Sequence, residues 1–589
     1  MSAKEGMTGS LEWPDYMVIG IVLSISALIG VYYRFTGGRQ KTSAEYFSAN
    51  RSMSIPLLAI ALMVAFISAI AMLGVSGESY ISGIHFAFTT VGLMCATPIV
   101  AFFYLPVFYK LQYLSVYEYL ETRFGKAARL TASVANYVHI TLYTGVVLFA
   151  PALALEATTG LSSTASVFLI GVICTFYSSI GGIKAVLATD VFQGFLMFAA
   201  IFCVIGVGCS DFEGGAAEVW ETAIRGGRVT FDIFDLDPTV RHTWFGLILG
   251  GMGIFIANFG VSQVHVQRLS SAKTLKEAQI AIFLNTPLIV AIVSATSFAG
   301  LVLYAWFESC DPKAAGQISS FDQVMPYFAK VRMSKISGLT GFFVAGIFSA
   351  SLSTVSAMLN SLSAVAIADY IAPIYRLCGS ELAESKGPLL GKLLAVVNGA
   401  LCVGIALMAS HFGNLIQMAF AISGATAGPV LGLFSLGIFF EYANERGAVA
   451  GTILTLCLTF WMAFGSPKPP VLKLPVSIDG CPNSTHADTI AYMEQVNATY
   501  KLAHEKEYFY LYRISYMWYT PIGFLCTIVL GFALSVLIRK LSKNTIVEPE
   551  PDLFTPIVAA RMRRRREDLA KTTTSQVFVL STKEIVPTQ

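Results

Sequence analysis

Long apolar runs separated by short polar connectors organise this 589-residue chain. Runs long enough to span a bilayer fall at approximately 16–33, 56–76, 84–109, 130–155, 164–180, 189–208 and 244–266, and continue at 278–307, 339–366, 394–410, 415–440, 448–464 and 518–538. The pattern predicts an all-α membrane protein of about thirteen transmembrane helices, each of the ~20-residue class.

The ninth run breaks its apolar pattern on one face. Ser349, Ser353, Ser356, Asn360 and Ser363 are spaced four, three, four and three apart, which places them on one side of an α-helix. Lipid cannot satisfy such a face, so it must meet other helices, water or an ion. The stripe is either helix-packing glue, as small and hydroxylated residues often are, or part of a site for a hard cation such as Na⁺, which accepts hydroxyl and carbonyl oxygens.

Two other runs are predicted to be discontinuous. In 62–77, Ser68, Gly74, Ser76 and Gly77 interrupt the apolar sequence; in 250–263, four glycines accompany Asn258 and Gln263. Glycine lowers the cost of unwinding, after which freed carbonyls can bind a cation and helix N-termini can face an anion. Glycine clusters also serve close packing. The two segments each open a set of five helices, the spacing of an inverted repeat.

Composition agrees with a membrane chain: 55% hydrophobic and 13% charged residues, against about a quarter charged in soluble domains. The net charge of +3 gives no sign of nucleic acid as a partner. The first run lacks a small-residue cleavage site and is followed by Arg34, Arg39 and Lys41, so it is predicted to stay as a span with the N-terminus outside. Alternate counting puts the loops with Lys110, Arg123, Lys126 and Arg129, and with Arg268, Lys273 and Lys276, inside. Loops 76–83 and 156–163, without Lys or Arg, fall outside. The same count places 465–517 outside, with the glycosylation sequons at Asn483 and Asn497, while the sequon at Asn50 falls inside and is predicted to be inert. The C-terminal tail, inside, carries Arg561 and Arg563 to Arg566; a topology signal on a solvated tail is favoured over contact with anionic lipid. Most cysteines sit singly in apolar runs. Cys310 and Cys481 lie in polar loops, where a disulfide and free thiols are both open.

Several strings resemble the sodium/solute symporter family, in the branch of iodide, monocarboxylate and multivitamin carriers. They include Phe66-Ile-Ser-Ala, Tyr117-Glu-Tyr-Leu-Glu-Thr-Arg-Phe, Leu142-Tyr-Thr-Gly-Val-Val-Leu-Phe-Ala-Pro-Ala-Leu, Gly181-Gly-Ile-Lys-Ala-Val, Thr189-Asp-Val-Phe-Gln, Leu352-Ser-Thr and Gly428-Pro-Val-Leu-Gly-Leu-Phe-Ser-Leu-Gly. The likeness runs in order from about residue 11 to 540.

The resemblance implies a leucine-transporter type 5+5 inverted-repeat core, with repeats at about 56–208 and 244–440 inside a symporter domain at 16–540. An extracellular N-terminus (1–15) and a cytoplasmic tail (541–589) flank it. It also implies a central sodium site from the carbonyls of Val64, Ile67 and Ala350 and the hydroxyls of Ser353 and Thr354. A second sodium site would use Ser68 and Tyr143, and Asp190 would lie on the sodium release path; read from sequence alone, Asp190 is equally a charge near a helix N-terminus. The substrate pocket would involve Phe66, Ala71, Thr89, Thr90, Phe259 and Phe420. Iodide carriers place a glutamine where this chain has Ala71, which favours an organic anion. The expectation is Na⁺-coupled symport of a monocarboxylate, or of a vitamin carboxylate such as biotin or pantothenate, across the plasma membrane. The alternatives are an iodide or other inorganic-anion symporter and a sensor or channel on the same fold. No enzyme motif is present, and the seven histidines are dispersed.

Overall fold

The computed structural model describes residues 11–35, 53–231, 233–380, 382–383, 386–409, 414–481, 486–541 and 549–583. Among them the chain is helical, and a single parallel bridge between Met53 and Ala272 is the only extended pairing. The principal helices are α1 (Trp13–Phe35), α2 (Ile55–Phe66), α3 (Ala69–Ser82), α4 (Ile84–Leu111), α5 (Lys126–Thr159), α6 (Ser163–Cys209), α7 (Trp244–Val261), α8 (Gln263–Leu269), α9 (Leu275–Trp306) and α10 (Leu339–Leu377). They continue with α11 (Gly387–Ala409), α12 (Leu415–Phe439), α13 (Glu445–Phe464), α14 (Tyr516–Leu541) and α15 (Pro556–Lys583). Among the described residues, ten helices are long and apolar enough to cross a membrane, and α2 with α3 makes a further span bent by 59°.

Side-chain caps start several of these helices. Thr243, Thr274 and Asn444 accept the backbone N–H groups of Gly246, Glu277 and Gly447, each satisfying a donor the helix itself cannot. The runs 164–180 and 189–208, predicted as separate spans, fall within one helical stretch, α6, of which Val186–Cys209 is by itself long and apolar enough to cross a membrane. Their connector has two glycines but no proline, and glycine alone does not remove a backbone donor.

α10 is the buried axis of the molecule. From Phe343 to Val365 nearly every residue is inaccessible, with α5, α6 and α2 packed around it and α1 laid outside against α6 and α10. α9 packs on both halves of the bent span, and α14 on α12 and α13. α4 and α7 cross closely: a Cβ on Gly92 would meet the Ile248 carbonyl at 2.1 Å and one on Gly251 the Thr89 carbonyl at 2.4 Å, so only glycine fits at the crossing.

The loops gather on two faces. On one, Cys310 and Cys481 form a disulfide, which settles the open alternative at that pair. Beside it Asp311 N–H donates to the Ser477 carbonyl at 2.8 Å, and Arg228 donates to the Pro475 carbonyl at 2.6 Å while stacking on Tyr304. On the opposite face the expected solvated tail is instead docked. Leu553, Phe554 and Met562 are buried, the Tyr119 hydroxyl donates to the Leu553 carbonyl at 3.0 Å, and Arg561 and Arg565 pair with Glu441 at 2.5 and 3.0 Å. The apolar residues among the tail's charges find a crevice between helices, and their burial outweighs solvation of the segment. Asn497 is exposed on the helix His486–Glu505, whereas Asn50 and Asn483 lie outside the described residues.

Candidate transport site

The first helix break is complete. α2 ends at Phe66; Ile67 and Ser68 take extended conformations (φ −84°, ψ 109° and φ −101°, ψ 175°), and α3 restarts at Ala69. Ile67 N–H still bonds the Met63 carbonyl at 2.8 Å, but the carbonyls of Val64, Ala65 and Phe66 have no helical donor ahead of them. Ser68 Oγ is buried without a hydrogen-bond partner, beside the Tyr143 hydroxyl. The second break is narrower: α7 closes with a π-helical turn over Ala257–Val261, Ser262 is extended (φ −80°, ψ 133°), and α8 begins at Gln263.

Between the two breaks lies a cavity in which the centres of water-sized spheres sweep about 120 Å³, room for several waters or a small organic solute. Phe66, Ala71, Thr89, Thr90, Tyr143 and Phe420 line it; Phe259 stands behind Phe66, ring centroids 5.4 Å apart. No Lys, Arg, Asp or Glu is among its lining residues. The Thr89 and Thr90 hydroxyls donate to the Phe86 and Ala87 carbonyls at 2.8 and 2.6 Å, so they offer the cavity only acceptor lone pairs.

The hydroxyl stripe divides into two kinds of residue. Ser349, Ser356 and Ser363 donate to carbonyls of their own helix, at Ala345, Ser353 and Leu359. Ser353 instead reaches across to α6 and donates to Asp190 Oδ1 at 2.5 Å. Asp190 Oδ2 faces Arg268 Nη2 at 3.1 Å, and Arg268 Nη1 donates to the Ala61 carbonyl at 2.9 Å. Polar contacts therefore run from α2 through α8 and α6 to α10, all of them buried. Thr354 donates to the Ala350 carbonyl at 3.0 Å. Asp190 lies within α6, near the start of the apolar span Val186–Cys209. Arg268, expected in a loop, is a buried residue of α8.

Comparison with known proteins decides the family. The model of the sodium:solute symporter family matches residues 46–455. The chain belongs to that family. A Drosophila melanogaster protein provisionally assigned as a sodium-dependent multivitamin transporter is 45% identical over 94% of this chain and 93% of its own length. The human sodium-coupled monocarboxylate transporter 1 is 37% identical over 91% of this chain and 89% of its own length. Among solved structures, a Na⁺-coupled sialic acid symporter shares the fold with a TM-score of 0.71 at 23% identity, covering 89% of this chain and 98% of that one. As a member of this symporter family the protein is a multi-pass membrane transporter, with Na⁺ as co-transported ion, and not an enzyme. Such symporters typically reside in the plasma membrane.

Within this symporter the structure puts Val64 on α2, Ile67 just past its end, and Ala350, Ser353 and Thr354 on α10, which contacts α2; Tyr143, Phe66, Ala71, Thr89, Thr90 and Phe420 gather at the cavity, with Ser68 beside Tyr143. Gln263, singled out by its place in a broken helix, turns away from the cavity: its amide donates to the Leu114 carbonyl and accepts from Val116 N–H at 2.7 and 2.8 Å. Sequence reasoning missed His139, His265 and Ser423, which also line the cavity. Single polar residues within apolar runs were the available signal, too weak to separate them from packing. It also missed the ion pair of Asp190 with Arg268, which lie far apart in sequence.

Proposed function

We propose that this symporter couples Na⁺ to the inward movement of a small organic anion, a monocarboxylate or a vitamin carboxylate such as biotin or pantothenate. The observation that carries the reading is the largely apolar cavity between two helix breaks, without a fixed cation, beside the buried Ser353–Asp190–Arg268 cluster. The names of its relatives support it: one is provisionally a multivitamin carrier and the other a monocarboxylate carrier.

In this reading the carbonyls of Val64, Ile67 and Ala350 and the hydroxyls of Ser353 and Thr354 hold one Na⁺, and Ser68 and Tyr143 help to hold a second. Na⁺ binding from outside draws the Ser353 hydroxyl away from Asp190, whose carboxylate then lies on the inward release path. The pocket of Phe66, Ala71, Thr89, Thr90, Phe259 and Phe420 encloses the anion. Burying a bare carboxylate is costly, and the co-bound Na⁺ with the N-terminus of α3 offsets that cost. The architecture is thirteen spans with a leucine-transporter type 5+5 repeat at about 56–208 and 244–440, N-terminus outside and C-terminus inside, and glycans on Asn483 and Asn497.

Two Na⁺ per monovalent anion makes transport electrogenic, each net charge gaining about 2.3 kcal/mol per 100 mV. The test is labelled-solute uptake by cells expressing the chain, across lactate, biotin, pantothenate and iodide, with Na⁺ present or replaced and current recorded. Accumulation of a carboxylate with inward current in Na⁺ medium is expected. Current without accumulation would identify a sensor or channel, and accumulation of iodide alone an inorganic-anion carrier.

A further inference from the structure

Among the polar groups facing the cavity, His265 stands apart. It is 2% exposed and lines the cavity, yet neither ring nitrogen completes a hydrogen bond; the Asn258 carbonyl is its nearby acceptor. A buried donor left without a completed hydrogen bond costs free energy, so the ring gains by turning to an acceptor that enters the cavity. Its plane is fixed by neighbours: Phe259 lies with ring centroids 4.3 Å away and Phe66 edge-on at 6.3 Å.

Most of the cavity's other polar groups are already engaged. The Thr89 and Thr90 protons are committed to backbone carbonyls. Asn258 donates to the Ile254 carbonyl at 2.9 Å, His139 shares a 3.2 Å contact with Ser423, and Tyr143 is turned to Ser68. A carboxylate accepts hydrogen bonds and donates none. A neutral imidazole keeps one N–H in either tautomer, and His265 is the buried side chain of this cavity whose two ring nitrogens both lack a completed hydrogen bond. The same region receives the N-terminus of α3, whose first N–H groups have no helical acceptor. The far wall, at Val75, Phe86, Ile416 and Phe420, is apolar.

We infer that His265 donates a hydrogen bond to the carboxylate of the transported anion and fixes its orientation, carboxylate toward the helix breaks and apolar body toward Phe420. This rests on the organic-anion reading above, and it makes His265 a specificity-determining residue for monocarboxylates with an apolar body.

The test is the KM and Vmax of Na⁺-dependent uptake of labelled lactate and labelled biotin in cells expressing wild type, His265→Phe and His265→Gln, normalised to surface protein by antibody labelling. For whichever probe the wild type accumulates, His265→Phe keeps a planar ring but loses the N–H and should raise KM about ten- to hundredfold, the loss of one hydrogen bond to a charged group. His265→Gln retains a donor and should stay within about threefold. Should His265→Phe fail to reach the surface, His265→Met carries the same comparison. An unchanged KM in the donor-free variant, or equal loss in His265→Gln at normal surface level, overturns the inference and leaves the organic-anion reading standing. Absence of wild-type uptake of lactate, biotin and pantothenate alike removes that reading and the inference with it.

Discussion

Two arginine–carboxylate pairs, each with a buried carboxylate, lie on either side of the cavity, and they are built differently. Toward the disulfide face, Arg241 grips Glu78 with two nitrogens at 2.8 and 3.0 Å, gives a third to Gln417 at 3.2 Å, and its own carbonyl accepts the Ser515 hydroxyl at 2.6 Å. Both Glu78 oxygens are used, and the contacts knit α3, the loop before α7, α12 and the approach to α14. Toward the opposite face, Asp190 gives one oxygen to Arg268 and the other to the Ser353 hydroxyl, a residue of the proposed sodium site. A carboxylate with both oxygens held by one guanidinium acts as a clamp. One divided between a guanidinium and a hydroxyl can trade that hydroxyl for an ion, so the two pairs should fail in different ways.

The largest expected effect separates them through paired substitutions. Glu78→Gln and Asp190→Asn each leave a buried guanidinium uncompensated, at about 3–5 kcal/mol. Adding Arg241→Gln to the first should restore much of the thermal stability and part of the Na⁺-dependent uptake. Adding Arg268→Gln to the second should restore stability while uptake stays below a tenth of wild type, because the charge beside Ser353 on the proposed sodium path is gone. Thermal unfolding of purified protein beside uptake reads both quantities; equal recovery of uptake in the two double variants would erase the distinction.

A smaller effect probes the hydroxyl side of the divided pair. Ser353→Ala and Thr354→Ala remove one oxygen each from buried positions on α10. If these oxygens bind sodium, the half-saturating Na⁺ should rise severalfold in both and uptake should fall strongly at normal surface level. Pure packing would give only modest loss, since the side chains merely shrink. Normal Na⁺ dependence in both variants would remove the sodium assignment.

What sequence reveals differs between these regions. The stripe and the two breaks are local, so spacing along the chain exposes them before any contact is known. The Asp190–Arg268 and Glu78–Arg241 pairs join residues 78 and 163 positions apart, respectively, and tertiary folding alone brings them together. Periodicity also joined the whole stripe in one role, whereas hydrogen bonding singles out Ser353 from its back-bonded neighbours. The docked tail was hidden for another reason: Leu553, Phe554 and Met562 are few among many charges, and their burial depends on a crevice made by Tyr119, Arg123 and α12.

The next effect is a proton rather than a substitution. Asp322 lies in the loop between α9 and α10, accepts the Leu415 N–H at 3.1 Å and the Ser320 hydroxyl at 2.9 Å, and thereby anchors α12 on the clamp's side of the cavity. Burial raises its pKa from 3.8 to about 6, offset in part by those hydrogen bonds and by Lys313, with Glu78 adding to the rise. The folded protein therefore holds this proton more tightly than the unfolded chain does. The associated stability is fully present below 3.8 and is lost as pH rises through about 6. Between pH 7.5 and 5.5 acidification should stabilise the protein by about 1 kcal/mol. The check is the melting temperature at the two pH values in wild type and Asp322→Asn; an identical pH response in both would acquit Asp322.

The smallest effect fixes which pair faces which side of the membrane. Asn497 is exposed on the helix His486–Glu505, in the same loop system that Cys481, Ser477 and Pro475 join to Cys310, Asp311 and Arg228. That loop system sits on the Glu78–Arg241 side of the cavity, through Leu474 N–H on the Ile81 carbonyl and Ser515 N–H on that of Pro238. A glycan there places the clamp outside and the divided pair toward the cytoplasm, as coupling to an inward Na⁺ gradient requires. Glycosidase treatment should sharpen and speed the band on a gel, and changing Asn483 and Asn497 together to Gln should abolish that shift. Transport at the surface should change less than about twofold, since surface substitutions away from packed features stay within about 0.5 kcal/mol. A glycan on Asn50 in place of these would invert the molecule, put Asp190 on the outer side, and end its role in sodium release.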